Sequence, residues 1–257
     1  MTRVLIFDES HAFKVSSTPS NRNDVSFEHF VLRKMYPALN VVHIGKCGGS
    51  TVRLAIAQSE LLAKKFGKVE FTHISQVKYS QHEKYLIVIR NPIARAISAF
   101  NWRYHLVVET EQQRERFEGE WHILKKYSTL NSISERLYSL DSESLNQDVS
   151  REFKVIHHLR EDISFYLSEM LEQLRPGQVY GIIKQHSLAT DCSLLLGPNV
   201  NIQHEKRHGD TILPLKKELS GLAQRNLRRY LYKDFSCILK LYNLGLMAWD
   251  DYELLTR

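Results

Sequence analysis

Three short apolar runs mark the chain: Val41-Val42-His43-Ile44, Tyr85-Leu86-Ile87-Val88-Ile89 and Val179-Tyr180-Gly181-Ile182-Ile183. Such runs read as parallel strands buried on both faces. Val69 to Ile74 alternates well enough for another strand, and Val4 to Phe7 for a short one. Between the runs the period changes. Val52, Ala55, Ile56 and Phe66 fall at helical spacing after the first, with Gly67 as the stop. Ile93, Ala96, Ile97 and Phe100 do the same after the second, where Pro92 suits a helix start. Residues 151–174 predict one amphipathic helix ended by Pro176-Gly177, residues 191–196 a short helix, and residues 216–243 a final helical stretch. Residues 27–36 predict a short helix, and 8–26 and 198–212 polar loops. The alternation of strand, turn and helix predicts an α/β fold with a central parallel sheet flanked by helices. Residues 109–150 break the pattern, being polar with scattered apolar anchors such as Trp121, Ile133 and Leu137. They predict helices and loops inserted over the sheet.

Composition narrows the picture. A chain of 257 residues with 43% hydrophobic and 25% charged positions suits one domain spanning 1–257, and no linker or repeat divides it. The net charge of +6 suits an anionic ligand, but no basic block marks a nucleic-acid surface. Asp8 and Glu9 interrupt the only apolar N-terminal run, and no run has the length of a membrane span. The three cysteines, Cys47, Cys192 and Cys237, have neither disulfide-framework nor metal-site spacing. A cytoplasmic, reduced protein without a metal is expected.

The candidate chemistry follows the first strand. Gly45-Lys46-Cys47-Gly48-Gly49-Ser50-Thr51 reads as a tight turn into a helix. Gly48 and Gly49 permit positive φ and close backbone approach, and Ser50 can cap the helix. Unpaired N–H groups and the helix dipole favour an anion there, and Lys46 adds a full positive charge. Lys46 precedes the glycines, so this is not the Walker A order.

The order Lys-x-Gly-Gly-Ser-Thr resembles the 5′-phosphosulfate loop of sulfotransferases that use 3′-phosphoadenosine 5′-phosphosulfate (PAPS), with Gly45 and Cys47 in place of the usual proline and Ser or Thr. The stretch Ile89-Arg90-Asn91-Pro92, with Ser98 eight residues after Arg90, resembles the 3′-phosphate signature of the same family, Asn91 replacing the usual Asp. The closest likeness is to the branch of heparan 2-O- and related carbohydrate sulfotransferases, in a small bacterial-type form. The likeness is sharp over residues 41–100 and looser over 151–240.

The resemblance implies transfer of a sulfuryl group from PAPS to a hydroxyl or amine of a saccharide or small metabolite, without a metal. It assigns Lys46 to the leaving phosphate oxygen and Cys47, Gly48, Gly49, Ser50 and Thr51 to the 5′ end. Arg90 and Ser98 take the 3′-phosphate. His73 is the expected general base, with His157 and His158 as rivals, while His43 packs behind the loop. Lys206 and Arg207 are expected to close over the nucleotide, and 101–150 to bind the acceptor. Cys47, beside Lys46 and a helix N-terminus, is expected to be an accessible, reactive thiol. A P-loop nucleotide kinase or NTPase and a non-catalytic nucleotide-binding protein are the alternatives. The kinase would need a metal-binding Asp at a strand end, where Arg90 and Lys184 stand instead.

Overall fold

A computed structural model of the protein describes residues 3–5, 36–139, 141, 143–202 and 218–257. The helix expected over 27–36, apart from Tyr36, and most of the 198–212 loop, including Lys206 and Arg207, lie outside these residues. Five strands form one sheet: β1 (Arg3–Leu5), β2 (Tyr36–His43), β3 (Phe66–Thr72), β4 (Lys84–Ile89) and β5 (Val179–Lys184). Their order is β1-β3-β2-β4-β5. The four strands β3, β2, β4 and β5 are parallel, and β1 is an antiparallel edge on β3, pairing Arg3 with Phe71. The fold is α/β, a parallel sheet flanked by helices. Tyr85 through Ile89 are fully buried, which explains why β4 is apolar without alternation.

The helices are α1 (Gly49–Ala57), α2 (Glu60–Lys65), α3 (Pro92–Tyr104), α4 (Glu120–Tyr127), α5 (Leu130–Glu135), α6 (Gln147–Val155), α7 (Ile163–Leu171), α8 (Leu188–Leu196), α9 (Gly221–Tyr230), α10 (Tyr232–Asn243) and α11 (Trp249–Thr256). A π-helical turn, His105–Glu109, extends α3. Among the described residues no helix is long and apolar enough to cross a membrane. Around the sheet, α1, α2, α7, α8, α10 and α11 close the main core. A second core forms where the outer face of α3 meets α4–α6 and α9, through Phe100, Leu124, Ile133, Phe153 and Leu227. The polar 109–150 stretch is thus a helical layer with a core of its own, completed by a helix from late in the chain.

Two expected helices are each divided. The helix after β2 stops at Gln58, and Ser59 starts α2 by accepting the Leu62 N–H at 3.2 Å while donating to the Leu196 carbonyl at 2.5 Å. The helix expected over 151–174 is interrupted at residues 156–162. Its apolar spacing continues across the gap, through Ile156, Leu159 and Ile163, which is why the pattern reads as continuous. Two contacts break it. Buried Arg95 donates Nη2 to the carbonyls of His158, at 2.7 Å, and of Glu161. In a helix those carbonyls would accept from Asp162 and Phe165. Instead Asp162 caps α7, its side chain accepting the Phe165 N–H at 2.8 Å. His157 and His158 therefore lie in a bend and not on a helix.

Arg103 fastens the outer layer to α3. It meets Glu120 through two parallel bonds, Nε to Oε1 at 2.9 Å and Nη2 to Oε2 at 2.6 Å, with the side chains 2% and 0% exposed. The Oε1 atom also accepts the His157 N–H at 2.8 Å. Removing one member of such a pair strands a buried charge. Glu120→Ala should therefore lower unfolding free energy by about 3–5 kcal/mol in urea titrations. The double change Arg103→Met/Glu120→Leu should cost clearly less. Equal losses would show that the apolar layer, and not the ion pair, fixes this contact.

Candidate functional site

The chain leaves β2 toward β3 on one side and β4 toward β5 on the other. The order in which strands are added reverses between the parallel strands β2 and β4, and open α/β sheets bind ligands beyond the carboxyl ends of strands at such a point. Both sequence motifs sit there, the Lys46 loop after β2 and Arg90 after β4.

The loop is tight. Lys46 and Gly48 take φ of +70° and +92°, and Cys47 between them does not. The Cys47 N–H returns to the Ile44 carbonyl at 3.3 Å. Gly48, not Ser50, is the N-cap of α1, and no side chain caps it. Ser50 is exposed in the first turn and Thr51 is buried. Ser50 is thus corrected from cap to exposed first-turn hydroxyl, because Gly48 already turns the chain. The N–H groups of Gly48, Gly49, Ser50 and Thr51 have no partner within the helix, the first such bond being Val52 N–H to Gly48 O at 3.1 Å.

Of the loop glycines only Gly48 uses positive φ. Gly49 serves close packing: a Cβ there would stand 1.8 Å from Cδ2 of His43, whose ring lies against the loop as expected. A Cβ on Gly45 would stand 2.7 Å from Nδ1 of His158. Two imidazoles thus abut the loop at its glycines, and a third joins them. His73 stacks on His43 with ring centres 4.2 Å apart, and its Nδ1 is 2.9 Å from the His43 carbonyl. A carbonyl only accepts, so Nδ1 carries the proton and Nε2 of neutral His73 is the basic nitrogen. The His158 ring centre lies 6.2 Å from that of His73 and 4.2 Å from that of His157. Burial, then the neighbouring His73, pushes His43 down to about 3. Burial pushes His157 down to about 4, and holds His158 far below the usual range with the help of His157 and Lys46. These rings are neutral at physiological pH.

Arg90 donates Nη1 to the Lys46 carbonyl at 3.2 Å, and its buried Nε has no partner among the described residues. The strand-end arginine thus braces the Lys46 loop directly. The Lys46 ammonium lies 4.4 Å above the Trp102 ring. Ser98 is half-buried one turn before Trp102, on the same face of α3. So Lys46, Arg90 and His73 gather at the carboxyl ends of the strands, and Ser98 lies on the helix face that carries Trp102. Asn91 caps α3 by accepting the Ala94 N–H at 2.9 Å, and donates to the carbonyls of Leu255 at 3.0 Å and Arg257 at 2.9 Å. An Asp has no donor for these two bonds, which gives the Asn a structural reason. At the end of β5, Lys184 pairs with Asp251 at 2.9 Å and Asp191 at 3.3 Å.

Trp102, Arg95 and Asp234 were not among the residues expected from the sequence. Arg95 was discernible in principle, since it falls with Ala96, Ala99 and Phe100 on the buried face of α3. Asp234 was not, because its partner comes from a distant segment: Oδ1 accepts the Ser164 N–H at 2.8 Å, while Oδ2 is buried without a partner among the described residues.

The reactive-thiol expectation for Cys47 is overturned. The residue is 0% exposed and faces the sheet core, and burial pushes its thiol up to about 11 despite nearby Arg95 and Arg90. Iodoacetamide should label Cys47 no faster than Cys192 or Cys237, and only on unfolding, as read by mass spectrometry. Rapid native labelling would contradict this placement.

Asp234 carries a second expectation. Burial, then Asp162, raises its carboxyl from the ordinary 3.8 to about 7. The fold favours the protonated acid, so this stabilisation is complete below about 3.8 and is lost as pH rises through about 7. Asp234→Asn should flatten the stability–pH curve over that window while keeping the Ser164 bond. Parallel curves for both proteins would refute it. In comparisons with known proteins, the chain matches no family model, no curated protein and no solved structure.

Proposed function

We propose that the protein transfers a sulfuryl group from PAPS to a hydroxyl or amine acceptor on a saccharide or small metabolite. One observation carries the reading: the Lys46 loop and Arg90 meet at the switch point of a parallel sheet, at the N-terminus of α1. The alternating backbone of Lys46 and Gly48 suits a concavity of N–H groups for a phosphate-like oxygen cluster. The buried, unpartnered Nε of Arg90 is a donor suited to an anionic oxygen.

In the proposed step the acceptor oxygen attacks sulfur in line with the bridging phosphate oxygen. The new oxygen–sulfur bond forms as the bond to the donor phosphate breaks. Lys46 and the N–H groups of Gly48 to Thr51 stabilise charge on the departing oxygen. Nε2 of His73 accepts the proton of the acceptor. Arg90 and Ser98 hold the 3′-phosphate, whose binding energy orients the donor. The resemblance assigns Lys206 and Arg207 to the nucleotide and residues 101–150 to the acceptor. The kinase alternative is weakened because Asp191 and Asp251, the acids at the end of β5, are both engaged by Lys184.

Calorimetry with adenosine 3′,5′-bisphosphate in EDTA tests the donor site. Binding should exceed that of 5′-AMP, and Arg90→Ala should lose roughly 2–4 kcal/mol of it. With labelled PAPS and a responsive acceptor, His73→Ala should cut turnover ~10²- to 10⁴-fold with donor affinity nearly intact. Equal affinity for the bisphosphate and 5′-AMP would sink the assignment.

A further inference from the structure

The bend at residues 156–162 holds a grouping that the proposed transfer does not use. His157, His158 and Glu161 each bring one donor atom within 4.8 Å of the others. His157 Nε2 lies 3.5 Å from Glu161 Oε2, too long for a good hydrogen bond. It is close to the spacing of two ligands on one tetrahedral ion, about 3.3 Å for bonds near 2.0–2.1 Å. The buried Nδ1 of His158 has no hydrogen-bond partner among the described residues and is the second nitrogen available to an ion that His157 holds through Nε2. Native structures rarely leave such an atom unmet. Burial keeps both rings neutral, the form that ligates a metal.

The surroundings are built to hold the three in place. Arg95 grips the carbonyls of His158 and Glu161 from below. Glu161 is oriented by Arg160, at 2.9 and 2.8 Å, and by the His158 N–H at 2.9 Å. Phe117 stacks on His157 at 4.3 Å. His158 holds φ at +68°, a cost that a folded chain retains where the surroundings impose it, and often at functional positions.

We infer that His157, His158 and Glu161 form a binding site for a divalent ion of the zinc class, beside the Lys46 loop. Arg95, Arg103, Arg116, Arg160 and Lys46 all bear on these imidazoles and oppose a second cation. The ion is therefore held by nitrogen donation more than by charge. That favours zinc, cobalt or copper over magnesium and calcium, which require oxygen-rich sets. The inference does not depend on the sulfuryl-transfer reading.

The full chain, freed of metal by chelation, is titrated with Co²⁺ and then with Zn²⁺. One Co²⁺ per chain should give the intense visible absorption of a four- or five-coordinate ion, and Zn²⁺ should bleach it. His157→Gln and Glu161→Gln should each weaken binding at least ~10- to 100-fold, the cost of losing even a supporting residue. His122→Ala, on the exposed face of α4, should change nothing. Circular dichroism checks that the variants fold. Side-chain nitrogen NMR of the unaltered chain gives an independent answer, because Zn²⁺ must shift the His157 and His158 resonances. Absence of the absorption, its survival in Glu161→Gln, or unmoved resonances would overturn the site. Bisphosphate affinity measured in EDTA reports the donor loop separately, so failure of one reading is distinguishable from failure of the other.

Discussion

The buried face of α3 holds two arginines, and much of the molecule is arranged around their burial. Arg95 is 1% exposed and Arg103 2% exposed. A guanidinium keeps its charge at any physiological pH, so its burial is costly unless acceptors meet it. Arg95 takes two backbone carbonyls, and Arg103 takes Glu120 and, at 2.6 Å, Gln113. The first demand unwinds the chain at residues 156–162. The second docks the outer helical layer. The two meet at the bend, where Glu120 also receives the His157 N–H.

This arrangement links packing to the candidate chemistry. Because the bend is pinned, His158 lies against Gly45 and the loop can accept no side chain at that glycine. His43 does the same at Gly49. The glycines therefore serve two purposes at once: Gly48 turns the backbone, while Gly45 and Gly49 let imidazoles approach. Neutral rings there leave Lys46 and Arg90 as the loop's cations, and the π-face of Trp102 steadies the first. Beneath the loop, Cys47 fills core volume beside Arg95 and Asp234.

The strands were legible because the central strands β2 and β4 are buried and carry apolar runs, and the edge strand β5 carries one too, although Val179, Tyr180 and Gly181 are only half-buried. The Lys46 loop and the Arg90 turn were legible because each directly follows a strand and opens a helix, so their place at the sheet's carboxyl edge follows from local order alone. The bend was not. Ile156, Leu159 and Ile163 keep helical spacing because they pack against the cores on either side, and periodicity reports burial, not hydrogen bonding. What broke the helix was a side chain more than sixty residues earlier.

By itself the sequence determined the α/β class, the parallel strands and the two basic motifs, since these depend on patterns a few residues long. The tertiary structure alone decided which histidines share the loop, which way the Cys47 thiol faces and where the 151–174 segment bends. Each of those outcomes rests on a contact between distant segments: Gly45 with His158, Arg95 with the carbonyls of His158 and Glu161, and Asp234 with the start of α7. Local propensity carries no information about such contacts. They exist because a buried polar or apolar group is stabilised by a partner from whichever segment the fold brings to it.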